Sequence, residues 1–209
     1  MQRVRVKICG VTRPEDGLAA ARAGADAVGL VFYPASSRAV SIEQARDIAA
    51  ALPPFVARVA LFLDASADEV TRVVEALRLD ALQFHGHESA AFCRRFGLPY
   101  LKSVPMGEPD IDPGQWARAY DDAQGLLLDA NRAGQAGGRG ETFDWHTRHD
   151  LPDRPIVVAG GLNVDNVGDA IRRFAPYAVD TSSGVESAPG IKDAQRMQDF
   201  VRAVYNTTG

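Results

Sequence analysis

A pattern repeated along the chain constrains its fold more than any single residue does: a short apolar run followed by a longer amphipathic stretch. The runs are Val4–Cys9, Ala27–Phe32, Val56–Leu63, Asp80–Phe84, Tyr100–Val104, Gly125–Asp129, Ile156–Ala159 and Ala178–Thr181. They are rich in Val, Ile, Leu and Phe and apolar at successive positions. That reads as strands covered on both faces, as in a parallel sheet. Strands that alternate with helices, joined by right-handed crossovers, form either an open doubly wound sheet or a closed barrel. Eight units favour closure, although 209 residues is short of the roughly 250 typical of such barrels. Neither G-x-G-x-x-G nor a Walker sequence occurs, which argues against a nucleotide-binding open sheet. The expected fold is α/β: a (βα)8 TIM barrel, a parallel eight-stranded closed barrel, as one domain over residues 1–209.

The stretches between the runs carry helix boundaries. Pro14–Ala23 has Thr12 as a candidate cap and ends at Gly24; Ser41–Leu52 starts on serine and stops before Pro53 and Pro54. Ser66–Leu77 opens Ser-x-x-Glu, a capping-box pattern. Glu88–Phe96, Asn163–Phe174 with an Asn cap, and Lys192–Tyr205 complete the clear helices. Glu108–Gln124 contains Pro109, Pro113 and Gly114, so only part of it is expected to be helical. Asn131–Gly140 reads as a glycine-rich loop, and Phe143–His149 has room for a short helix.

Bulk composition excludes several functions. The formal net charge of −4 gives no electrostatic basis for binding nucleic acid or an anionic membrane. An anionic substrate must therefore be held by local donors. Cys9 and Cys93 are too few for a disulfide framework, and no Cys/His spacing suits a metal. Met1–Cys9 is charged, without the apolar core of a leader, and no apolar run reaches the roughly 18 residues of a membrane span. The expected setting is the cytoplasm, with no metal and no cofactor.

In a barrel of this kind chemistry sits at the C-terminal strand ends. Lys7 and Cys9 are two apart and share a face, so a thiol closes the first strand with a cation beneath it. A nearby cation favours thiolate and makes Cys9 a candidate base; the plain alternative is a small buried hydrophobe. Asp129 ends the apolar run Gly125–Asp129. In a dry site such a carboxyl favours the protonated form that a general acid needs; a cap or salt bridge is its alternative. Gly160–Gly161 and the segment Asp180-Thr181-Ser182-Ser183-Gly184-Val185-Glu186 follow the seventh and eighth strands, where backbone N–H groups often seat a phosphate. Arg38 is a candidate grip for a carboxylate or else a solvated charge. His85 ends the fourth strand, either as a substrate contact or as a satisfied core histidine. An acid facing a base beside a phosphate seat fits proton-transfer isomerisation of a phosphosugar. A non-catalytic phosphosugar-binding module and another phosphate-binding barrel remain alternatives. Of the latter, an epimerase would want metal ligands, and an indole-glycerol-phosphate synthase would want strand-end lysines, for which Lys102 is the obvious mid-chain candidate.

The motifs Lys-Ile-Cys-Gly-Val-Thr-Arg from Lys7, Leu-Gln-Phe-His-Gly to Gly86, Leu-Leu-Leu-Asp to Asp129, Ala-Gly-Gly-Leu to Leu162 and Asp-Thr-Ser-Ser-Gly-Val-Glu to Glu186 together resemble the phosphoribosylanthranilate isomerase family. The resemblance runs from Val4 to the final helix. It implies a cofactor-free Amadori rearrangement in tryptophan biosynthesis, acting on a small phosphosugar, in a monomer or homodimer. It implies Asp129 as general acid and Cys9 as general base, and Arg38 on the anthranilate carboxylate. It also implies His85 and Asp180 in support, and Gly160, Gly161, Ser183 and Gly184 around the phosphate. Ser37 stands where the family pattern has proline, which is expected to loosen the Arg38 loop. Gly137–Gly140 is expected to close over substrate.

Overall fold

A computed structural model describes residues 3–109, 111–131 and 153–208. Eight strands form a closed parallel barrel: β1 (Arg5–Cys9), β2 (Ala27–Val31), β3 (Ala57–Phe62), β4 (Ala81–Phe84), β5 (Tyr100–Pro105), β6 (Gly125–Asp129), β7 (Ile156–Val158) and β8 (Ala178–Thr181). Each pairs with its successor, and β8 pairs back with β1. The helices are α1 (Pro14–Ala23), α2 (Ile42–Ala51), α3 (Ala67–Ala76), α4 (Ala90–Cys93), α5 (Pro113–Ala119), α6 (Val167–Phe174) and α7 (Ala194–Thr208).

Strand alternation divides the apolar residues between two cores. Val6 and Ile8 of β1, and Leu126 and Leu128 of β6, belong to the large layer between sheet and helices. Leu127, Val157, Ala159 and Ala178 form the small cluster inside the barrel, with Leu101 against it. The face that carries Leu127 also carries Asp129 two residues on. Lys7 and Cys9 likewise share the face opposite Val6 and Ile8, so the inward residues of both strands lead to one mouth.

Helix starts follow local chemistry, with four departures from expectation. Ser41 and Ser66 both form capping boxes, with Gln44 and Glu69. Thr12 is not a cap: the N-cap of α1 is Arg13, which makes no side-chain cap bond, and Pro14 supplies the fixed φ that starts the helix. The Thr12 hydroxyl instead donates to Gly190 O at 2.6 Å. Asn163 caps a turn rather than the helix. Its Oδ1 accepts from the N–H of Asp165 and of Asn166, and α6 starts only at Val167. Glu88 does not open α4; Ser89 caps it, and a 3-10 turn over Arg94–Phe96 follows. Lys192 precedes the last helix. It lies in β10 (Ile191–Lys192), which pairs antiparallel with β9 (Glu186–Ala188) in a hairpin that periodicity did not reveal. The helical part of Glu108–Gln124 is α5, begun by Pro113 behind the Asp112 cap. Beyond Asn131, the expected loop to Gly140 and the short helix at Phe143–His149 lie outside the described residues.

Replacing Ser66 by Ala removes the hydroxyl that accepts from Glu69 N and donates to the Glu69 carboxylate. The expected cost is about 1 kcal/mol, seen as a fall in Tm of roughly 2–4 °C by calorimetry.

Candidate active site

The barrel mouth forms a partly open cavity lined by Cys9, Arg38, Gln83, His85, Asp129, Gly160, Gly161, Asp180, Ser182 and Ser183, among others. Of the nine residues that the family resemblance places around substrate, eight line this cavity. Gly184 is set back: a side chain there would collide with Leu162 O, so it lets two chain segments approach closely.

Cys9 stands above a buried ion pair. The β1–β8 register places Lys7 opposite Asp180, and Lys7 Nζ lies 3.0 Å from Asp180 Oδ1. Burial outweighs other influences on the Cys9 thiol and pushes it above its ordinary value; Lys7 pulls it down and Asp180 pushes it up. Lys7 therefore acts in the direction the sequence suggested, but Asp180 answers its charge and the resting sulfur is a thiol. Burial disfavours the Lys7 ammonium too, yet Asp180 and the Cys9 sulfur together outweigh it and hold Lys7 charged. Gly29, Cys9's partner across β1–β2, is a residue that sequence reasoning passed over. A Cβ at Gly29 would meet Cys9 Sγ at 2.7 Å and Lys7 Nζ at 3.1 Å. A glycine within an otherwise apolar strand was the available signal, because it often marks close approach.

Asp129 ends β6 with its two oxygens in different surroundings. Oδ1 accepts from the N–H of Asn131 at 2.9 Å and from the Asn131 side-chain amide. Oδ2 faces His85 Nε2 at 3.8 Å. On the other side of that ring, Gln83 Nε2 lies 3.4 Å from Nδ1. Gln83 is 1% exposed, and its Oε1 has no hydrogen-bond partner among the described residues. Asn131 and Gln83 also went unnoticed in the sequence, though Asn131 stands two residues after an aspartate, the spacing of a local side-chain-to-backbone bond.

The loops after β7 and β8 expose backbone donors. Gly160 and Gly161 take φ of +83° and +63°, a left-handed run that glycine adopts without strain. Asn166 fastens the turn by donating from Nδ2 to Gly161 O at 3.0 Å and accepting at Oδ1 from Asn163 N at 2.8 Å. Among the described residues none accepts from the backbone N–H of Gly161 or Ser183. Ser182 Oγ donates to Cys9 O at 2.9 Å and ties this loop to the thiol's own backbone.

Arg38 is no solvated charge. Its Nε and Nη2 donate to the two oxygens of Glu186, at 2.8 and 2.7 Å. The loop with Ser37 in place of proline is held by side-chain and turn bonds instead: Arg38 N donates to Ser36 Oγ at 3.1 Å, and Ala39 N to Ser36 O at 3.1 Å. Lys102 is not at the mouth. It is fully buried, donates to Gly86 O at 2.5 Å and Glu88 Oε2 at 2.8 Å, and does not line the cavity. That removes the lysine the synthase alternative required. Among the described residues no group of three or more His, Cys, Asp or Glu could hold a metal ion, and no helix is long and apolar enough to cross a membrane.

A closed eight-stranded barrel with a thiol and a carboxyl at one mouth, beside two loops of open N–H groups, places the chain in the class of (βα)8-barrel enzymes. The family model described as N-(5'phosphoribosyl)anthranilate (PRA) isomerase matches residues 6–203. The chain belongs to the N-(5'-phosphoribosyl)anthranilate isomerase family. It is 52% identical over 204 residues to the N-(5'-phosphoribosyl)anthranilate isomerase of Halorhodospira halophila, with 97% of each chain covered. The crystal structure of phosphoribosyl anthranilate isomerase from Thermotoga maritima matches with a TM-score of 0.83 at 40% identity, covering 97% of this chain and 99% of that one. A structure of the isomerase in complex with reduced 1-(o-carboxyphenylamino)-1-deoxyribulose 5-phosphate matches with a TM-score of 0.80 at 38% identity, covering 97% and 99%.

The electrostatics of the thiol can be tested by alkylation. Cys93 is fully buried, so iodoacetamide reports Cys9. Because burial raises the thiol's pKa, the rate should rise with pH to a midpoint above the ordinary thiol value. In Lys7→Met the midpoint should move higher still, since the lowering influence is gone while Asp180 remains. Superimposable curves would remove Lys7 from the account.

Proposed function

We propose that this mouth carries out the family's reaction on N-(5'-phosphoribosyl)anthranilate by general acid–base catalysis, with Asp129 as the acid and Cys9 as the base. The observation that carries the reading is that a strand-one thiol and a strand-six carboxyl line the same cavity. The product is 1-(2-carboxyphenylamino)-1-deoxyribulose 5-phosphate.

The steps follow from the surroundings of each group. The Asn131 bonds occupy Oδ1 of Asp129, so Oδ2 is the oxygen suited to deliver a proton. Protonation of the furanose ring oxygen breaks its bond to C1′. The nitrogen lone pair moves in to give a cationic Schiff base, and the ring opens. Cys9 then removes the C2′ proton, and the C–H electrons form the C1′–C2′ double bond of an enolamine. Tautomerisation returns a proton to C1′, takes one from the 2′-hydroxyl and leaves the ketone; Asp129 then regains from solvent the proton it gave, and Cys9 ends as the thiol it began.

The resting thiol must first release its own proton to solvent before it can act as a base, and the Schiff-base cation favours that release. Its positive charge acidifies C2′ and favours thiolate beside it, in a dry mouth where charges act strongly. Lys7 contributes in the same sense. His85 and Asp180 serve as polar contacts for the open-chain sugar. The N–H groups near Gly161 and Ser183 seat the phosphate, consistent with the need for local donors in a chain of net charge −4. Arg38 engages the anthranilate carboxylate. The lid expected at Gly137–Gly140 lies outside the described residues. Every side chain given a role belongs to one chain, so the reading is the same for a monomer or a homodimer. Two free cysteines fit a reducing cytoplasm.

Turnover is followed by loss of the fluorescent anthranilate adduct. Cys9→Ser and Asp129→Asn should each lower kcat by at least ~100-fold with KM changed far less. Near-normal rates in either variant would withdraw that residue's role. Absence of turnover in the unaltered protein would defeat the reading as a whole.

A further inference from the structure

A buried charge cluster beside the mouth has no part in the steps above. Glu186 closes the sequence motif that begins at Asp180, and no step above uses it. It is 7% exposed and bound by two cations, which share its Oε1. Arg38 approaches with its Nε–Nη2 edge, and Lys192 Nζ lies 2.7 Å from Oε1. Burial alone would raise the Glu186 pKa, but the Arg38 bonds and the Lys192 charge outweigh it and hold Glu186 ionised below the usual carboxylate range. Lys192 is itself buried and also donates to Ser182 O and Oγ, at 3.1 and 3.2 Å.

The β9–β10 hairpin that carries both residues is fixed at several points. Lys192 N donates to Asp16 Oδ2 at 3.2 Å, and Arg13 holds the same carboxylate at 3.0 and 2.6 Å. Thr12 Oγ1 donates to Gly190 O, and Arg196 donates to Glu186 O. The stem of Arg38 lies close over Gly10, where a Cβ would meet Arg38 Cδ at 2.5 Å. Head and stem of this arginine are therefore both placed by the protein before any ligand arrives.

That arrangement has a chemical consequence. An arginine on a loop normally samples many rotamers and loses that freedom on binding; one already held presents a planar edge in fixed orientation. Glu186 takes the Nε–Nη2 edge and so fixes the plane in which the guanidinium meets any second carboxylate. Lys192 completes the device: it restores a net positive charge to a group that Glu186 alone would neutralise. Two buried ions serving only to brace a loop would be a poor alternative to apolar packing, given the cost of desolvating them.

We propose that Glu186, backed by Lys192, is a positioning residue that aims Arg38 at the carboxylate on the substrate's aromatic ring and thereby sets the preference for a carboxylated amine substituent. This rests on the reading of Arg38 given under the proposed function. Glu186 touches no reacting atom; it acts through Arg38.

The test uses two substrates, N-(5-phosphoribosyl)anthranilate and N-(5-phosphoribosyl)aniline, which differ only in the ring carboxylate. In Glu186→Gln, kcat/KM on the anthranilate substrate should fall about 10-fold or more, chiefly through KM, while the aniline substrate loses only about 2-fold. If that variant does not fold, Glu186→Asp is measured in the same way. It keeps a charge beside Lys192 but withdraws the carboxylate from Arg38, and a smaller loss of the same selective kind is expected. Equal losses on both substrates, or no loss on either in a folded variant, would overturn the proposal. Arg38→Ala separates the two layers. If it is selective for the carboxylated substrate and the Glu186 variants are not, only the role of Glu186 falls. If Arg38→Ala affects both substrates equally, the reading of Arg38 fails and this proposal with it.

Discussion

Pairing of β8 with β1 closes the ring, and the register of that seam sets Lys7 opposite Asp180. Much of the mouth depends on this placement. Two opposite charges, each under 8% exposed, satisfy one another beneath the thiol. Removing either would strand the other in a dry place, at a cost of roughly 3–5 kcal/mol. A slip of one residue would turn the inward set of β1 to the helices, because strand side chains alternate. Cys9 and Lys7 would then lie among apolar helix contacts, and Val6 and Ile8 would face the sugar.

The same economy of charge runs through the site. Lys7 meets Asp180, Arg38 and Lys192 flank Glu186, and Lys102 meets Glu88 below the β4 loop. In the proposed reading a ligand phosphate and carboxylate thus meet local donors rather than a broad positive field, as an acidic chain requires. Burial also explains why the thiol rests protonated: no single cation near Cys9 goes unanswered, so desolvation decides. With Cys9 as the proposed base, the charge that tips the balance is best supplied by the reacting molecule.

Much of this was legible in the residues. All eight apolar runs became strands, because parallel barrel strands are covered on both faces and are therefore largely apolar. Ser41 and Ser66 marked helix starts, since their chemistry is local. Lys7 and Cys9 fell on one face, as period two demands. Less legible were contacts made across long sequence separation. Thr12 reads as a cap but serves Gly190, and Lys192 reads as helix but belongs to a two-residue strand too short to have a period. Glu186, quoted within its motif, could not be joined to Arg38 by any spacing rule, because their contact spans 148 positions. Gln83 and Asn131 were passed over for a related reason: an amide gains its meaning from the group it faces.

By itself the sequence determined the alternation of strand and helix, the inward and outward faces, and which side chains end the strands. These depend on local periodicity, and neighbouring residues carry them. The tertiary structure decided which charges cancel, which oxygen of Asp129 faces the ring of His85, and which arginine edge is already taken. Those outcomes depend on dielectric and distance between segments far apart in the chain, and they arise only once the ring has closed.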